Sequence, residues 1–340
     1  MVVASILEMP KRLITVFLLR KFILTGLDIP IFGQGFKVHL LEITMTLFKV
    51  TVDEKAPKKL GIFLLKNGFS KRAVNNAKNA GGMILVNHKR RYTNFILHVG
   101  DEVIFIPGQE KHNPWLTPSQ KPIEVVKETE NYLVVNKPAG ILSIPSRYDD
   151  NALVNQILGY FERKKSVNIK PHIVTRLDRD TSGLVLVGKN AIAHARFSQL
   201  KKDKFIKKYH AIVHGNFGLD ELKGIIDQPI GRKGTSIVRS IEPTGKKAKT
   251  AYKVIAQKEN ASIVELRLYT GRTHQIRLHM QYLGHPLYGD PLYGQKDNFK
   301  RQALNCFYIE FPDPFGKERQ VSIEIPDPID MQELWQNIPK

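Results

Sequence analysis

A charged turn between two apolar runs near the middle of the chain carries side chains that could do catalytic chemistry. Residues 172–187 have the sequence HIVTRLDRDTSGLVLV, which sets two carboxylates, Asp178 and Asp180, among turn-forming residues. Strand-like walls on both sides would fix a catalytic acid and still leave it reachable. Asp, Ser and Gly between two strands also commonly form a simple turn. The pattern by itself leaves a catalytic carboxylate and a structural turn as alternatives.

A second stretch, GRTHQIRLH at residues 271–279, offers histidine and arginine side chains. His274 and His279 are five positions apart, which is outside the i, i+4 pairing of helical metal ligands, and no third ligand is nearby. The single cysteine, Cys306, excludes an internal disulfide and a multi-cysteine zinc site, and we expect it to be buried. The sequence predicts no metal site and favours a reducing cytoplasm as the compartment.

The charge of the chain indicates a polyanionic partner. The 340 residues include 52 Lys and Arg against 32 Asp and Glu, a formal net charge of +20 that is spread along the sequence. Such a field favours nucleic acid and salt-dependent contacts to phosphates. A membrane surface is the weaker alternative, because no long amphipathic helix carries the charge. The apolar run at residues 13–19 is also shorter than the ~20 residues of a membrane span.

The elements that would position the charged turn follow from hydrophobic periodicity. Strand patterns occur at residues 132–136, 184–187, 206–213 and 264–270, and helical spacing occurs at residues 152–161 and 191–200. Strands joined by turns and occasional helices predict an α+β domain around a mixed, largely antiparallel sheet. We assign this domain to residues 123–338.

A small α/β module is predicted ahead of that domain, at residues 58–107. Ser70 is the expected N-cap of its second helix, which would end at Gly81 and Gly82 before a β-hairpin. Residues 1–44 are an uncertain extension, and residues 45–57 lead into the module. Residues 108–122 contain three prolines and are predicted to be a linker that tethers the module to the larger domain.

Five motifs in the larger domain resemble, in order, the signatures of the RNA pseudouridine synthase family of the RluA type. They are YLVVNKPAGILSIPS (132–146), RLDRDTSGL (176–184), IKKYHAIVHG (206–215), TGRTHQIRLH (270–279) and RQALNCFYIEFPDP (301–314). Several motifs in the right order make a chance match improbable in a way that one motif could not. The chain departs from the family at Thr175, where His or Asn is common, and at Asn305, where His is common.

The resemblance implies the pseudouridine synthase fold and roles for three residues. Asp178 would be the essential residue, Tyr209 would lie against the target uracil, and Arg277 would pair with Asp178. Arg suits that pairing because its planar fork can hold a carboxylate bidentately. Converting uridine to pseudouridine moves the glycosidic bond from ring nitrogen to ring carbon five without net oxidation, so we expect no cofactor. Whether Asp178 acts as a nucleophile or as a base stays open.

The small module resembles the alpha-L RNA-binding domain, first named for a small-subunit ribosomal protein. The resemblance rests on GFSKRAVNNAKNAGGMILVNHK (68–89) and VGDEV (99–103). It implies RNA contacts from basic residues of the second helix and the hairpin, namely Lys71, Arg72, Lys78, Lys89 and Arg90. A solvated basic face is the alternative. In the larger domain we expect RNA contacts from Arg176 and Lys246.

These observations together predict an RNA uridine isomerase that acts as a cytoplasmic monomer without a membrane partner. Large-subunit ribosomal RNA is the first choice of substrate, and transfer RNA is the second. One alternative is a ribosome-associated RNA-binding protein without catalysis, against which the intact Asp178, Tyr209 and Arg277 argue. Another is a carboxylate-dependent hydrolase of nucleosides or glycosides, which would need a second well-placed carboxylate that is not identifiable.

Overall fold

The computed structural model describes residues 47–108, 110, 116–146, 151–166, 170–200, 202–232, 234, 236–316 and 319–340. The predicted extension at residues 1–44 and the first two residues of the lead-in lie outside the described residues, as do residues 111–115 of the predicted linker. Residues 44–340 form one unit.

A four-stranded antiparallel sheet with two helices forms the amino-terminal part of this unit. Its elements are β1 (Phe48–Thr51), α1 (Leu60–Lys66), α2 (Lys71–Asn79), β2 (Met83–Val86), β3 (Lys89–Arg90) and β4 (Glu102–Ile106). The strand order is β1-β4-β2-β3. As predicted, Ser70 caps α2, because its hydroxyl accepts a hydrogen bond of 3.1 Å from the backbone N–H of Ala73.

The rest of the chain builds a second, larger sheet with helices on it. Its strands are β5 (Glu124–Glu128), β6 (Tyr132–Lys137), β7 (His172–Ile173), β8 (Ser182–Gly188), β9 (Ile206–His214), β10 (Lys223–Asp227), β13 (Lys249–Lys258), β14 (Ala261–Leu268), β15 (Leu304–Phe311) and β16 (Val321–Glu324). A separate short hairpin joins β11 (Ile230–Gly231) to β12 (Ser240–Ile241). The helices are α3 (Leu153–Arg163), α4 (Ala191–Gln199), α5 (Gln275–Tyr282) and α6 (Ile329–Asn337).

The larger sheet is mixed and largely antiparallel, which confirms the predicted α+β class. Its main path runs β10-β13-β14-β9-β15-β8-β6-β5, with β16 paired to β15 and β7 paired to β8. Among the described strands, β8 and β15 run parallel and the other pairs run antiparallel. All seven residues of β8 are buried, so the strand that follows the charged turn lies in the middle of the core.

Gly183 allows the chain to enter β8 directly from the charged turn. Its φ of +114° disfavours other residues, and a Cβ there would lie 2.3 Å from the carbonyl oxygen of Cys306. Beside it, the Ser182 hydroxyl donates a 2.9 Å hydrogen bond to the side chain of Asn305, whose amide in turn donates to Asp327. Asn305, where the family commonly has His, thus holds the start of β8 against β15.

The predicted linker does not behave as a free tether where the structure describes it. Leu116 is buried in a cluster with residues of α3, and the backbone N–H of Ser119 donates to the carbonyl of Asn155 at 2.9 Å. Glu110 accepts a 2.7 Å hydrogen bond from the backbone N–H of Ala191 and lies 2.8 Å from His172. Proline-rich composition predicts a flexible segment, but Glu110, Leu116 and Ser119 of this segment are held against the larger domain.

The two sheets are also joined by packing around Arg196 of α4. Its guanidinium carbon lies 5.2 Å from the ring centre of Phe48, 5.5 Å from that of Phe69 and 5.1 Å from that of Phe315. Ile192 of the same helix is buried in the core of the small sheet. The tether expected between the two sheets is thus replaced by a packed junction. The assignment of residues 58–107 as an RNA-binding domain stays a prediction.

Candidate active site

A cavity of about 760 Å³ opens at the end of the larger sheet, beside the charged turn. It is lined by segments from different parts of the chain, namely residues 142–144, 173–179, 181, 207, 209, 268, 271–277 and 304. The three residues expected to be catalytic, Asp178, Tyr209 and Arg277, all line it, and so does the exposed Arg176. The structure therefore brings together residues that are 99 positions apart in sequence, from 178 to 277.

Ser143 holds the backbone immediately before Asp178. The Ser143 hydroxyl donates a 3.0 Å hydrogen bond to the carbonyl of Leu177 and accepts one of 3.2 Å from the Leu177 N–H. Ser143 is 4% exposed, so water does not replace these bonds readily. One buried hydroxyl thus satisfies both backbone groups of the residue that precedes the catalytic candidate.

Lys137 holds the turn from beneath, at the carbonyl of Arg179. The side chain of Lys137 is fully buried at the end of β6, and its ammonium donates 2.9 Å hydrogen bonds to the carbonyls of Pro138, Ile141 and Arg179. The backbone N–H of Gly140 donates to the same Arg179 carbonyl at 3.0 Å. The Lys-Pro segment therefore fastens the wall of the cavity to the charged turn.

The pKa of Lys137 reflects this buried position. Burial lowers it to about 7, and the carboxylates of Asp180 and Asp178 oppose that shift. Three carbonyl acceptors complete the donor capacity of an ammonium group and favour its charged form. We infer that Lys137 stays charged in the folded protein and acts as a clamp on the turn.

Two residues just before β15 hold the far side of the turn. The Arg301 guanidinium donates a 3.3 Å hydrogen bond to the carbonyl of Asp180, and the Gln302 amide donates one of 3.1 Å to the Thr181 hydroxyl. Arg301 is itself held by Asp330 of α6 through two hydrogen bonds of 2.7 and 2.8 Å. The turn around Asp178 is therefore fixed from three directions, as preorganised catalysis requires.

Tyr209 projects from β9 into the wall of the cavity. Its ring is 4% exposed, and burial raises the pKa of its hydroxyl well above the ordinary value. The phenol is therefore neutral, and it can offer a ring face and a hydroxyl to a planar ligand. The buried thiol of Cys306 lies behind it, and burial raises the pKa of that thiol to about 11. Cys306 is buried, as expected from the sequence.

Arg277 of α5 contacts two carboxylates, and its tighter partner is Asp290. Its Nε and Nη2 atoms donate hydrogen bonds of 2.6 Å to the two oxygens of Asp290, while Nη1 lies 3.9 Å from Asp178. The expected bidentate fork on Asp178 is thus corrected, because the fork binds Asp290. Burial alone would lower the pKa of Arg277, but Asp290 and Asp178 raise it.

Asp290 is a functional candidate that the sequence reasoning did not identify. Its carboxylate is 4% exposed and also accepts backbone N–H bonds from Leu292 and Tyr293, at 2.9 and 3.0 Å. Burial raises the pKa of Asp290, but its bonds with Arg277 and these two N–H groups outweigh burial and lower it. Asp290 lies in the segment GHPLYGDPLYG (284–294), where no periodicity or spacing marks this acid as the partner of Arg277.

His274 and His279 have separate environments. His274 lines the cavity with a left-handed backbone (φ 58°), and its Nδ1 lies 3.0 Å from the Tyr293 hydroxyl. His279 is buried and bonds to the Thr250 hydroxyl at 2.9 Å and the Gln228 carbonyl at 3.0 Å. Among the described residues, no group of three His, Cys, Asp or Glu side chains could hold a metal ion.

The residues expected to bind RNA are not all at this cavity. Lys246 lines a second cavity of about 570 Å³, which shares residues 271–273 with the first. The basic side chains that line this second cavity are Arg232, Arg239, Lys246 and Arg272. Those of α2 and β3 lie elsewhere: Lys71, Arg72, Lys89 and Arg90 are exposed, and Lys78 is half-buried. No described helix is long and apolar enough to cross a membrane.

Comparisons with known proteins agree with the geometry of the cavity. A family model described as RNA pseudouridylate synthase matches residues 131–282, which include Asp178, Tyr209 and Arg277. A Bacillus subtilis protein named uncharacterized RNA pseudouridine synthase YjbO is 38% identical over 271 residues, which cover 78% of this chain and 94% of that protein. The Zymomonas mobilis protein named ribosomal large subunit pseudouridine synthase D is 39% identical over 236 residues, which cover 64% of this chain and 73% of that protein.

A solved structure shares the fold as well as sequence. Human RNA pseudouridylate synthase domain containing 1 is 28% identical, with a TM-score of 0.51, and the match covers 64% of this chain and 87% of the human chain.

Proposed function

The chain belongs to the RNA pseudouridine synthase family, and from that premise we propose that it isomerises uridines of large-subunit ribosomal RNA at the cavity around Asp178. The main support for this proposal is that Asp178, Tyr209 and Arg277 all line one cavity. Asp178 drives cleavage of the glycosidic bond, either as a nucleophile at the anomeric carbon or as the base that removes a sugar proton.

The two neighbours of Asp178 have different tasks in this scheme. Arg277, at 3.9 Å, orients the Asp178 carboxylate and offers it positive charge. Tyr209 presents its ring to the uracil, which must turn within the cavity between bond cleavage and bond formation. No electrons leave or enter the nucleotide, so the reaction needs no redox cofactor.

The target uridine reaches Asp178 by leaving its base stack. Reacting atoms of a stacked nucleotide are shielded, and enzymes that act on a base extrude it into a pocket. The exposed Arg176 at the cavity contacts the RNA that flanks the extruded uridine. The basic residues of the second cavity, which include Lys246, contact the phosphate backbone farther along the strand. A further RNA contact is proposed at α2 and β3, through Lys71, Arg72, Lys78, Lys89 and Arg90.

The choice of substrate draws on the relatives. The Zymomonas mobilis relative and a Pseudomonas aeruginosa relative, 34% identical over 258 residues, both carry the name ribosomal large subunit pseudouridine synthase D. We therefore place large-subunit ribosomal RNA before transfer RNA, and we place the protein in the cytoplasm as a monomer.

The proposal is tested by mapping pseudouridine in ribosomal and transfer RNA from cells that lack the gene. The cells are complemented either with the unchanged protein or with Asp178→Ala. We expect specific sites in large-subunit RNA to disappear and to return with the unchanged protein alone. Loss of sites in transfer RNA would overturn the choice of substrate. Restoration by Asp178→Ala would overturn the role of Asp178.

A further inference from the structure

Lys207 is a cation in the cavity around Asp178, and it has no role among those proposed for Asp178, Tyr209 and Arg277. It lies on β9 two residues before Tyr209, so both side chains project from the same face of the strand. Lys207 lines the cavity, and its ammonium lies 5.9 Å from the centre of the Tyr209 ring. A group bound against that ring would therefore come within reach of the Lys207 side chain.

Lys207 is half-buried, and it differs from the buried Lys137 and Lys189 because none of the described residues neutralises or caps its ammonium. Lys137 donates to three carbonyls, and Lys189 is paired with Glu128 at 2.7 Å. Within the described part of the chain, no carboxylate oxygen lies within 4.0 Å of the Lys207 ammonium, and no hydrogen-bond acceptor is within bonding distance. A partly buried cation without a partner destabilises the protein unless a ligand supplies the missing negative charge.

The charges around the cavity suggest an anionic ligand of this kind. Of the described residues that line the cavity, five are Lys or Arg and one, Asp178, is a carboxylate. Asp178 is paired with Arg277 at 3.9 Å, and its oxygens lie more than 4.0 Å from the Lys207 ammonium. Burial lowers the pKa of Lys207, while the nearby Cys306 and Asp178 raise it. The unneutralised positive charge thus faces the space that the base would occupy.

The reaction itself generates an anion in that space. When the bond between the anomeric carbon and ring nitrogen one breaks, its electron pair stays on the base, and the negative charge spreads over the ring and its two carbonyl oxygens. Carbon five then supplies the electron pair of the new bond, and its proton is transferred to nitrogen one. These movements of electrons and protons on the base are the same whether Asp178 acts as a nucleophile or as a base. Lys207 has the same protonation state before and after the reaction.

We propose that Lys207 is a further catalytic residue, whose ammonium binds a carbonyl oxygen of the detached uracil anion while the ring turns against Tyr209. This inference rests on the proposed function. A preorganised cation in a site from which water is largely excluded stabilises developing negative charge far better than solvent does. It also keeps the detached base in the cavity until the new bond forms.

The adjacent lysine provides a matched control. Lys208 projects from the opposite face of β9, lies 3.3 Å from Glu265, and rests over the ring of Tyr308. Lys207→Met and Lys208→Met therefore remove the same charge from the same strand, inside and outside the cavity. Lys207→Arg keeps the charge, and Lys207→Gln keeps a polar side chain without it.

The test measures single-turnover pseudouridine formation on unmodified large-subunit RNA, the dissociation constant for that RNA, and the release of free uracil. We expect Lys207→Met to slow turnover about 100-fold, the scale of losing one preorganised donor, with RNA affinity changed less than about 3-fold. Lys208→Met should react at the rate of the unchanged protein. Lys207→Arg should be slower than the unchanged protein but faster than Lys207→Met. Free uracil should rise with Lys207→Met, because the detached base is no longer held.

Two outcomes separate this inference from the proposed function. If the unchanged protein forms no pseudouridine, the proposed function and the inference about Lys207 are both overturned. If it does, and Lys207→Met reacts as fast as Lys208→Met, the inference about Lys207 alone is overturned. Should Lys207→Met fail to fold, as judged by thermal melting, Lys207→Gln carries the same expectation. If neither variant folds, Lys207 is a structural residue and the inference is rejected.

Discussion

Arg277 binds Asp290 through two hydrogen bonds of 2.6 Å and leaves its remaining nitrogen 3.9 Å from Asp178. The buried Asp290 fixes the plane of the guanidinium, and Asp178, whose side chain is 32% exposed, stays accessible from the cavity. One arginine is thus held by a structural acid, Asp290, and presented to Asp178, the acid proposed to be catalytic. The arrangement resembles other sites in which a supporting residue orients the group that acts.

Replacing Asp290 by Ala should therefore damage stability and catalysis together. The change leaves the Arg277 charge buried without its partner, which costs about 3–5 kcal/mol of the free energy of unfolding. We expect pseudouridine formation to fall at least tenfold in the protein that remains folded, because Arg277 loses its orientation. Urea denaturation and single-turnover assays measure the two effects.

The ion pair between Lys249 and Asp227 provides the control for stability. Its charged atoms lie 3.7 Å apart, and both side chains are exposed, at 43% and 63%. Asp227→Ala should cost only about 0–1 kcal/mol, as exposed pairs do. An equal loss in both variants would contradict the structural role assigned to Asp290.

Ser143→Ala should weaken catalysis through the backbone of Leu177. The substitution leaves a buried N–H and a buried carbonyl without their partner, which costs about 1–3 kcal/mol, and it loosens the residue before Asp178. We expect the turnover rate to fall while RNA affinity changes little. Ser198→Ala is the control, because the Ser198 hydroxyl bonds the carbonyl of His194 on an exposed part of α4. Equal rates for the two variants would rule out positioning by Ser143.

Glu128 should make the stability of the fold depend on acid pH. Burial raises its pKa, but hydrogen bonds from Lys164, Lys189 and Tyr160 outweigh burial and lower it from 4.5 to about 2. A carboxyl whose pKa is lower in the folded state stabilises that state above its unfolded pKa. This stabilisation is present above pH 4.5 and is lost as the pH falls towards 2.

The melting temperature as a function of pH measures this effect. The unchanged protein should lose stability between pH 4.5 and 2 more steeply than Glu128→Gln, which cannot titrate there. Parallel curves for the two proteins would show that Glu128 is not held by these three partners.

The sequence predicted the larger sheet well because its strands have strong local signals. The apolar run at residues 184–187 became the buried β8, and the alternating residues 206–213 became most of β9. The prediction for residues 264–270 ran two residues past the end of β14 at Leu268. Alternation specifies which residues face the core, but it defines strand ends less sharply.

The site was predictable only in part. Motif resemblance found Asp178, Tyr209 and Arg277, which all line one cavity. It did not find Asp290, because the contact between Asp290 and Arg277 forms only when the loop after α5 packs against that helix. Motif resemblance also could not show that Arg277 binds Asp290 bidentately.

Long-range packing explains why Leu116 and Ser119 of the predicted linker are held against the larger domain. Three prolines in residues 108–122 are typical of a linker, and composition cannot show that Leu116 is buried against α3. The junction around Arg196 likewise depends on aromatic rings that are distant from one another in sequence. Such contacts follow from the assembled fold rather than from any local pattern.

The most direct test of the account is pseudouridine formation by the purified protein on unmodified large-subunit ribosomal RNA, compared with Asp178→Asn. Asn keeps the size of the side chain but removes its charge, so RNA binding serves as an internal control for folding. We predict that the unchanged protein forms pseudouridine at defined positions, and that Asp178→Asn forms none while binding the RNA with similar affinity. Pseudouridine formation by Asp178→Asn at the unchanged rate would contradict the account.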